Sequence, residues 1–510
     1  MEKHIEKRTE SNGLGILKTA IIMLLIAMQV ALFVLLRLYL VNVFGILGVL
    51  SVVFTLATCF YVLSSDYNGQ AKATWIFFLL LTFSFGYLIF WISNKKFMFR
   101  KNSKKYNQIM KKTEEWGEHA DLSKLDNKSM RSACEYLYNV GKFEASLCSK
   151  TEYFATGEEL FADILKEIKK AEKFIFVEYY IISKGRLYNE FFDILIEKAS
   201  AGVDVRVIYD DIGCNGTFNK KECKFLERAG VKLYAFNRLI PAFNIALNYR
   251  DHRKIVIVDG KVAFTGGANL ADEYINQRLK FGYWKDTGIK IMGPAVDNFT
   301  VTILNQWEFL TEKQEVYENY LGKADKFEGE GAVVPYVSGP NYPVSIAQNT
   351  YLNVISNAKE KLYIMTPYLI VDETITNMLI NRIDAGVDVR IVLPSIPDKK
   401  IVYILTLNNA EKLFLRGAKI YLMDNGFAHG KMMLTENSVV VGSINMDLRS
   451  FNQQFESAVL TNEASTMQAV EKDFEEIMDK GQKFSKENLK RNKITFRMKA
   501  GLINLFSQFM

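Results

Sequence analysis

The chain has 510 residues, 49% of them hydrophobic and 24% charged, and 64 Lys and Arg outweigh 57 Asp and Glu to leave a net charge of +7. Such a length accommodates roughly two to four domains with an ample core, and totals of only 31 Gly, 8 Pro and 5 Cys exclude a collagen-like repeat, a disordered chain and a disulfide scaffold. A mildly basic balance suits an anionic lipid surface or nucleic acid, and charge alone does not separate the two.

The apolar residues are unevenly placed. Three charge-free runs, about 19–36, 41–63 and 74–92, crowd into residues 1–95, and each approaches the roughly 20 apolar residues a helix needs to cross a bilayer. This segment is predicted to be integral to the membrane. Lys95, Lys96, Arg100, Lys101, Lys104 and Lys105 follow it at once, which places the remainder of the chain on the cytoplasmic side of the cell membrane. Lys3, Lys7, Arg8 and Lys18 favour the same side for the N-terminus, although three full spans would separate the two ends. Cys59, Cys134, Cys148, Cys214 and Cys223 form no CxxC pair and are odd in number, as expected of free thiols in a reducing compartment.

Residues 96–145 are charged and helix-favouring and read as a connector. Beyond them the chain repeats itself. Glu172-Lys-Phe-Ile-Phe-Val-Glu-Tyr-Tyr-Ile181 resembles Glu360-Lys-Leu-Tyr-Ile-Met-Thr-Pro-Tyr-Leu369, and Ala201-Gly-Val-Asp-Val-Arg-Val-Ile208 resembles Ala385-Gly-Val-Asp-Val-Arg-Ile-Val392. A whole domain is therefore duplicated, with copies at about 146–325 and 326–485. Apolar runs alternate with amphipathic stretches in each copy, which predicts an α/β sandwich built on a largely parallel sheet covered on both faces. A basic tail at 486–510 sets Lys490, Arg491, Lys493, Arg497 and Lys499 ahead of Leu502, Ile503, Phe506, Phe509 and Met510. Its spacing suits a helix in the headgroup region, or one packed on the core of its own domain.

Of four histidines, His252 and His429 occupy matching places in the two copies. Each is followed two residues later by a lysine (Lys254, Lys431), five further on by a carboxylate (Asp259, Glu436), and then by a glycine turn ending in Asn269 or Asn445. On a strand, residues i and i+2 share a face, so imidazole and ammonium meet in one pocket. That pairing suits a phosphodiester, which needs a nucleophile or proton carrier beside a fixed positive charge. Two facing copies allow one histidine to attack while the other protonates the leaving group.

These paired motifs resemble those of the phospholipase D superfamily, and nearly the whole chain is similar to the bacterial cardiolipin synthases within it. The likeness extends to Lys72-Ala-Thr-Trp75, Glu178-Tyr-Tyr180, Phe264 to Tyr274, Tyr283-Trp-Lys-Asp-Thr287, Ser338-Gly-Pro340, Thr366-Pro-Tyr368 and Gly442 to Phe451. It implies tandem duplicated α/β/α sandwich domains forming one active site, preceded by transmembrane helices. It also implies transfer of a phosphatidyl group between two phosphatidylglycerol molecules through a phosphohistidine, without metal or cofactor. His252 is the first choice as nucleophile, although the near-symmetric motifs do not decide between it and His429. Lys254, Lys431, Asn269 and Asn445 would hold the phosphoryl oxygens. Asp286 and Glu456 match the carboxylates that hold the far ring nitrogen of each histidine. Asp259 and Glu436 complete the motifs, and their place after an apolar strand also suits a turn-shaping role.

Two departures stand out: Glu436 where the family has Asp, and Gly430 where a small residue such as Ala is usual. A phospholipase D hydrolase, a phosphatidyltransferase with another acceptor lipid, and a scaffold that kept the fold without the chemistry remain alternatives. The hydrophobic segments argue against a nuclease, so lipid and not nucleic acid is the expected partner.

Overall fold

The computed structural model describes residues 45–507 apart from 66, 68, 83–84, 94–95, 114–119, 239–248, 330, 486, 488–492 and 506, together with single positions at Met28, Ala31, Val34, Leu35 and Leu38. Most of the predicted segment 19–36 thus lies outside the described residues, as do Lys95 and, in the tail, Lys490, Arg491, Phe506, Phe509 and Met510.

The first domain contributes β1 (Lys150–Phe154), β2 (Phe174–Tyr179), β3 (Asp204–Asp210), β4 (Lys232–Phe236), β5 (Arg250–Asp251), β6 (Lys254–Val258), β7 (Val262–Gly266), β8 (Tyr283–Lys285) and β9 (Gly288–Met292). The second contributes β10 (Val333–Ser338), β11 (Lys361–Met365), β12 (Leu369–Ile370), β13 (Asp388–Leu393), β14 (Lys419–Leu422), β15 (Gly426–Ala428), β16 (Met432–Thr435), β17 (Val439–Gly442), β18 (Met446–Asp447), β19 (Gln454–Thr461) and β20 (Gln482–Lys483). The main sheets run β1-β9-β7-β6-β2-β3-β4 and β10-β19-β17-β16-β11-β13-β14, the latter extended by β20. The two orders are the same element by element, so the duplication read from short sequence repeats holds for the whole topology.

The expected largely parallel sheet is corrected. Only β2-β3-β4 and β11-β13-β14 run parallel, and the other neighbours in both sheets are antiparallel. The reason lies in the connections. Parallel strands need helical crossovers, whereas β6 returns as β7 through the three-residue connection Asp259–Lys261, in which Asp259 and Gly260 both have positive φ, 54° and 66°, the conformation a tight hairpin demands.

The central strands still bury both faces, as β2 and β6 do along their whole length. Phe174 and Phe176 join one core with Phe299 and Ile303 of the helix Val296–Thr311. Ile175 and Val177 join another with Phe161, Ile164, Phe191 and Phe192 from the helices Gly157–Ile168 and Arg186–Ser200. Alternation along a pleated strand sends successive side chains to opposite layers, which gives the α/β/α sandwich.

The domains also exchange short strands. β5 of the first pairs in parallel with β19 of the second, and β15 of the second pairs in parallel with β8 of the first. A buried ionic cluster pins them further: Asp473 accepts from Lys285 Nζ at 2.7 and 2.9 Å and from the Tyr153 hydroxyl at 2.6 Å.

The predicted connector carries two packed helices. Within Lys96–Lys112, Tyr106 stacks edge-on against Phe309 and Lys112 bonds Glu308 at 2.7 Å. Lys128–Gly141 buries Met130, Ala133, Cys134 and Leu137 in the shared core.

In the N-terminal block the run 74–92 is not one helix but two, Gly69–Thr82 and Gly86–Ser93. They fold together closely, since a Cβ on Gly86 would lie 2.2 Å from Thr82 Oγ1 and 3.1 Å from Leu79 Cα. Among the described residues no helix is long and apolar enough to cross a membrane. Gly45–Ser64 comes nearest, uncharged over 20 residues, with side chains described from Gly48 onward. The C-terminal helix Lys493–Asn504 buries Ala500 beside Val402 and Leu405, and the carbonyls of Asn504 and Leu505 accept from Gln70 and Thr74.

Removing Asp473 would strand the Lys285 ammonium between the domains. Asp473→Ala is expected to destabilise the protein by about 3–5 kcal/mol, read as a lowered urea midpoint, and a loss under about 1 kcal/mol would show that the cluster does not hold the domains together.

Candidate active site

The exchanged strands position the site. β5 and β19 pair in the register Asp251 to Phe455, and the ladder continues one residue further with the His252 amide donating to the Phe455 carbonyl at 2.8 Å. β15 and β8 pair Ala428 with Lys285, and the His429 amide donates to the Lys285 carbonyl at 2.8 Å. Each histidine is thereby set beside the residue that follows on the opposite domain, Glu456 in one case and Asp286 in the other.

The side chains use that register. His252 Nδ1 lies 3.0 Å from both carboxylate oxygens of Glu456, and His429 Nδ1 lies 2.7 Å from Asp286 Oδ2. A carboxylate on Nδ1 fixes the ring orientation and tautomer, leaving Nε2 to react. Lys254 donates to the His252 carbonyl, and Lys431 donates to the His429 carbonyl with Nζ 2.9 Å from His429 Nδ1. All six side chains are buried. The structure therefore brings His252, Lys254, His429, Lys431, Asp286 and Glu456 into one centre.

The electrostatics are strained toward the neutral forms. Burial, reinforced by Lys254 and Lys431, holds the His252 imidazole well below its ordinary value. Burial and Lys431 lower His429 to about 4 against the pull of Asp286. Burial brings Lys254 to about 7 and Lys431 to about 8, with the two carboxylates opposing it. The carboxylates themselves differ: burial pushes Glu456 up to about 8, whereas for Asp286 the contacts to His429 and Lys431 outweigh burial and keep it low. A bound phosphodiester anion would favour the charged form of both lysines, so the centre is completed electrostatically by the ligand it suits.

The surroundings are unequal too. Tyr274, Trp284 and Phe427 ring His429 at centroid distances of 5.5, 5.1 and 5.4 Å. On the His252 side stand Tyr180, at 5.0 Å, and a polar chain in which Ser443 donates to Glu456 and Asn445 bonds Ser450 at 3.3 Å. Asn269 is tied at both ends of its amide, to Ile181 N at 3.1 Å and to the Tyr274 hydroxyl at 2.8 Å. Asn445 Oδ1 is buried with no partner among the described residues.

Asp259 and Glu436, grouped by their motifs with the catalytic residues, are not in this centre. Both lie at the far ends of their strands. Asp259 accepts from the amides of Glu172, Lys173 and Phe174 at 2.8–2.9 Å, and Glu436 accepts from those of Lys359, Glu360 and Lys361 at 2.8–3.4 Å. Each anchors the start of an interior strand of its sheet, β2 or β11. The Asp-to-Glu departure follows from the turns: Asp259 sits at positive φ and Glu436 does not, so a longer side chain spans the changed backbone. Gly430 is explained by space, since a Cβ there would lie 2.3 Å from Met365 Cε and 2.9 Å from Thr287 Cγ2.

Spacing along the chain does not point to Ser443, Ser450, Phe427 or the aromatic wall around His429. Tyr180, Tyr274 and Trp284 fall within conspicuous blocks, but their approach to the histidines follows from the strand exchange. Among the described residues no three His, Cys, Asp or Glu side chains gather as a metal site.

Fold and site together define a two-domain protein of the phospholipase D type. The model of the cardiolipin synthase, PLD-like domain matches residues 164–283 and 351–478. A cardiolipin synthase of Alkalihalophilus pseudofirmus is 33% identical over 80% of this chain and 83% of its own length, and one of Geobacillus sp. is 32% identical over 91% and 94%. The crystal structure of a phosphatidylserine synthase from Haemophilus influenzae matches with a TM-score of 0.57 at 16% identity, covering 75% of this chain and 98% of that one, which supports the fold. The chain belongs to the cardiolipin synthase family.

Two outcomes follow from the geometry. Glu436→Ala removes the acceptor for a row of backbone amides and is expected to lower stability by about 1–3 kcal/mol while folded molecules keep their activity; a selective loss of turnover at unchanged stability would place Glu436 in the chemistry. An unfolded histidine takes up its proton near 6.5 and native His429 only at about 4. Between these values the unfolded state holds more protons, so stability falls as pH falls. The urea midpoint should therefore decline less steeply from pH 6.5 to 4 in His429→Gln than in the wild type, and equal slopes would contradict a buried neutral imidazole.

Proposed function

We propose that the protein is a membrane-bound cardiolipin synthase that joins two phosphatidylglycerol molecules into cardiolipin and releases glycerol. The observation that carries this reading is the crossed pair of histidine–carboxylate bonds, which turns two distant motifs into one buried centre with two oriented imidazoles and two lysines. One imidazole Nε2 attacks the phosphorus of the first lipid, and the other, carrying a proton on Nε2 once the bound phosphodiester anion favours its charged form, gives that proton to the departing glycerol oxygen. The hydroxyl of the second lipid then forms a new P–O bond as the P–N bond breaks, and its proton passes to the histidine that acted as acid. Lys254 and Lys431 neutralise the phosphoryl oxygens. Burial keeps water away from the phosphohistidine, which favours transfer over hydrolysis.

Membrane insertion through residues 1–95, with the catalytic domains on the cytoplasmic side, belongs to the same reading. It is supported by the uncharged helix Gly45–Ser64, which leaves Val49, Leu50, Val53, Phe54, Phe60 and Leu63 exposed. The C-terminal helix likewise exposes Met498 and Leu502 while its other face packs on the second domain.

The test is purified full-length protein in mixed micelles with phosphatidylglycerol as the sole lipid and a chelator present. Cardiolipin and glycerol should form in equal amounts, and His252→Ala and His429→Ala should each reduce the rate by at least about 10³-fold. Phosphatidic acid with glycerol as the only products would make the protein a hydrolase.

A further inference from the structure

The two half-sites are related by the duplication, and the position where they differ most in charge is Arg449. Counted from the paired asparagines, Arg449 stands four residues after Asn445 where the first copy has Glu273 four after Asn269. Glu273 faces Lys280 at 3.4 Å. Arg449 is half-buried, and its Nε is enclosed without a hydrogen-bond partner among the described residues. The neighbouring buried arginines are different: Arg250 pairs with Asp210, and Arg253 pairs with Asp251 and Glu178. The charge of Arg449 acts instead on His252, Tyr180 and Asp447.

Beside it, one end of the Asn445 amide is held by Ser450 and the other has no partner. Whichever end faces inward, one hydrogen-bonding group is left over, whereas in the first copy Asn269 is held at both ends. A guanidinium with an Nε unpartnered among the described residues, on the short helix Leu448–Asn452, and an unused amide group four residues before it suit a ligand that carries both an anion and a hydroxyl. The second lipid of the proposed reaction has both, and cardiolipin joins its two phosphates through only three carbons, so a second anion must lodge close to the first.

We propose that Arg449 and Asn445 form an acceptor subsite on the His252 side of the centre, with Arg449 binding the phosphodiester of the second phosphatidylglycerol and Asn445 its hydroxyl headgroup. This rests on the synthase reading. In the transfer step the acceptor oxygen forms its bond to phosphorus, the P–N bond breaks with its electron pair returning to the ring, and the acceptor proton goes to the nearer histidine, His252. His429, whose Nδ1 lies 2.7 Å from one Asp286 oxygen, is then the carrier of the phosphatidyl group. That reverses the first choice made from sequence.

Two acceptors separate this subsite from the shared chemistry. Labelled glycerol exchanging into phosphatidylglycerol uses the same phosphohistidine and the same hydroxyl attack without a second phosphate; cardiolipin formation needs that phosphate. Wild-type protein performing both reactions establishes the synthase reading by itself. In Arg449→Ala the ratio of cardiolipin formation to glycerol exchange should fall at least about tenfold, the weight of one charge-assisted hydrogen bond, and Arg449→Lys should lose less. An unchanged ratio, or loss of both reactions together in Arg449→Ala, would overturn the subsite. Mapping the phosphorylated residue in quenched wild-type protein should find it on His429, and finding it on His252 would overturn the placement of the acceptor.

Discussion

Each imidazole depends on a carboxylate from the other copy of the domain, His252 on Glu456 and His429 on Asp286. Neither repeat contains a complete half-site. The register of two short parallel pairings, β5 with β19 and β15 with β8, sets each histidine beside its carboxylate by the same offset of one residue. A slip of one residue in either pairing would turn the carboxylate to the opposite face. The ionic cluster of Tyr153, Lys285 and Asp473 and the packed helix Lys128–Gly141 serve that alignment by fixing the domains as one body.

The same arrangement explains the electrostatics. Bringing two histidines, two lysines and two carboxylates out of water disfavours every charge, and the groups respond unequally because their partners differ. Asp286 remains a low-pKa carboxylate against His429, while Glu456 is pushed up to about 8 and shares its bonds with Ser443. Around that core the copies have diverged. One side is walled by Tyr274, Trp284 and Phe427, and the other is lined by Ser443, Asn445, Arg449 and Ser450. A duplicated fold with two chemically different walls fits a reaction in which donor and acceptor arrive in different states.

Asp259 and Glu436 show how a motif can mix two kinds of residue. Histidine and lysine at i and i+2 reach the centre, whereas the carboxylate five residues on is carried by the strand to its far end, where it gathers backbone amides. Spacing alone treats all three as one unit. The geometry separates them, and it also accounts for the Glu436 and Gly430 departures through turn conformation and the space beside Met365.

The amino-acid sequence by itself determined the duplication, the apolar N-terminal block and the paired histidines and lysines, because periodicity and spacing are local properties of a chain, whereas Asp286 and Glu456 became candidates only through the family resemblance. Mixed rather than largely parallel sheets, the close approach of Gly86 to Leu79, the crossing of carboxylates between domains and the unpartnered Asn445 and Arg449 groups were decided only by tertiary structure. Their common cause is that each rests on contacts between residues far apart in the chain or on the handedness of a turn. The 204 residues between His252 and Glu456 are closed by the pairing of β5 with β19, and no pattern confined to either copy specifies which partner it will meet.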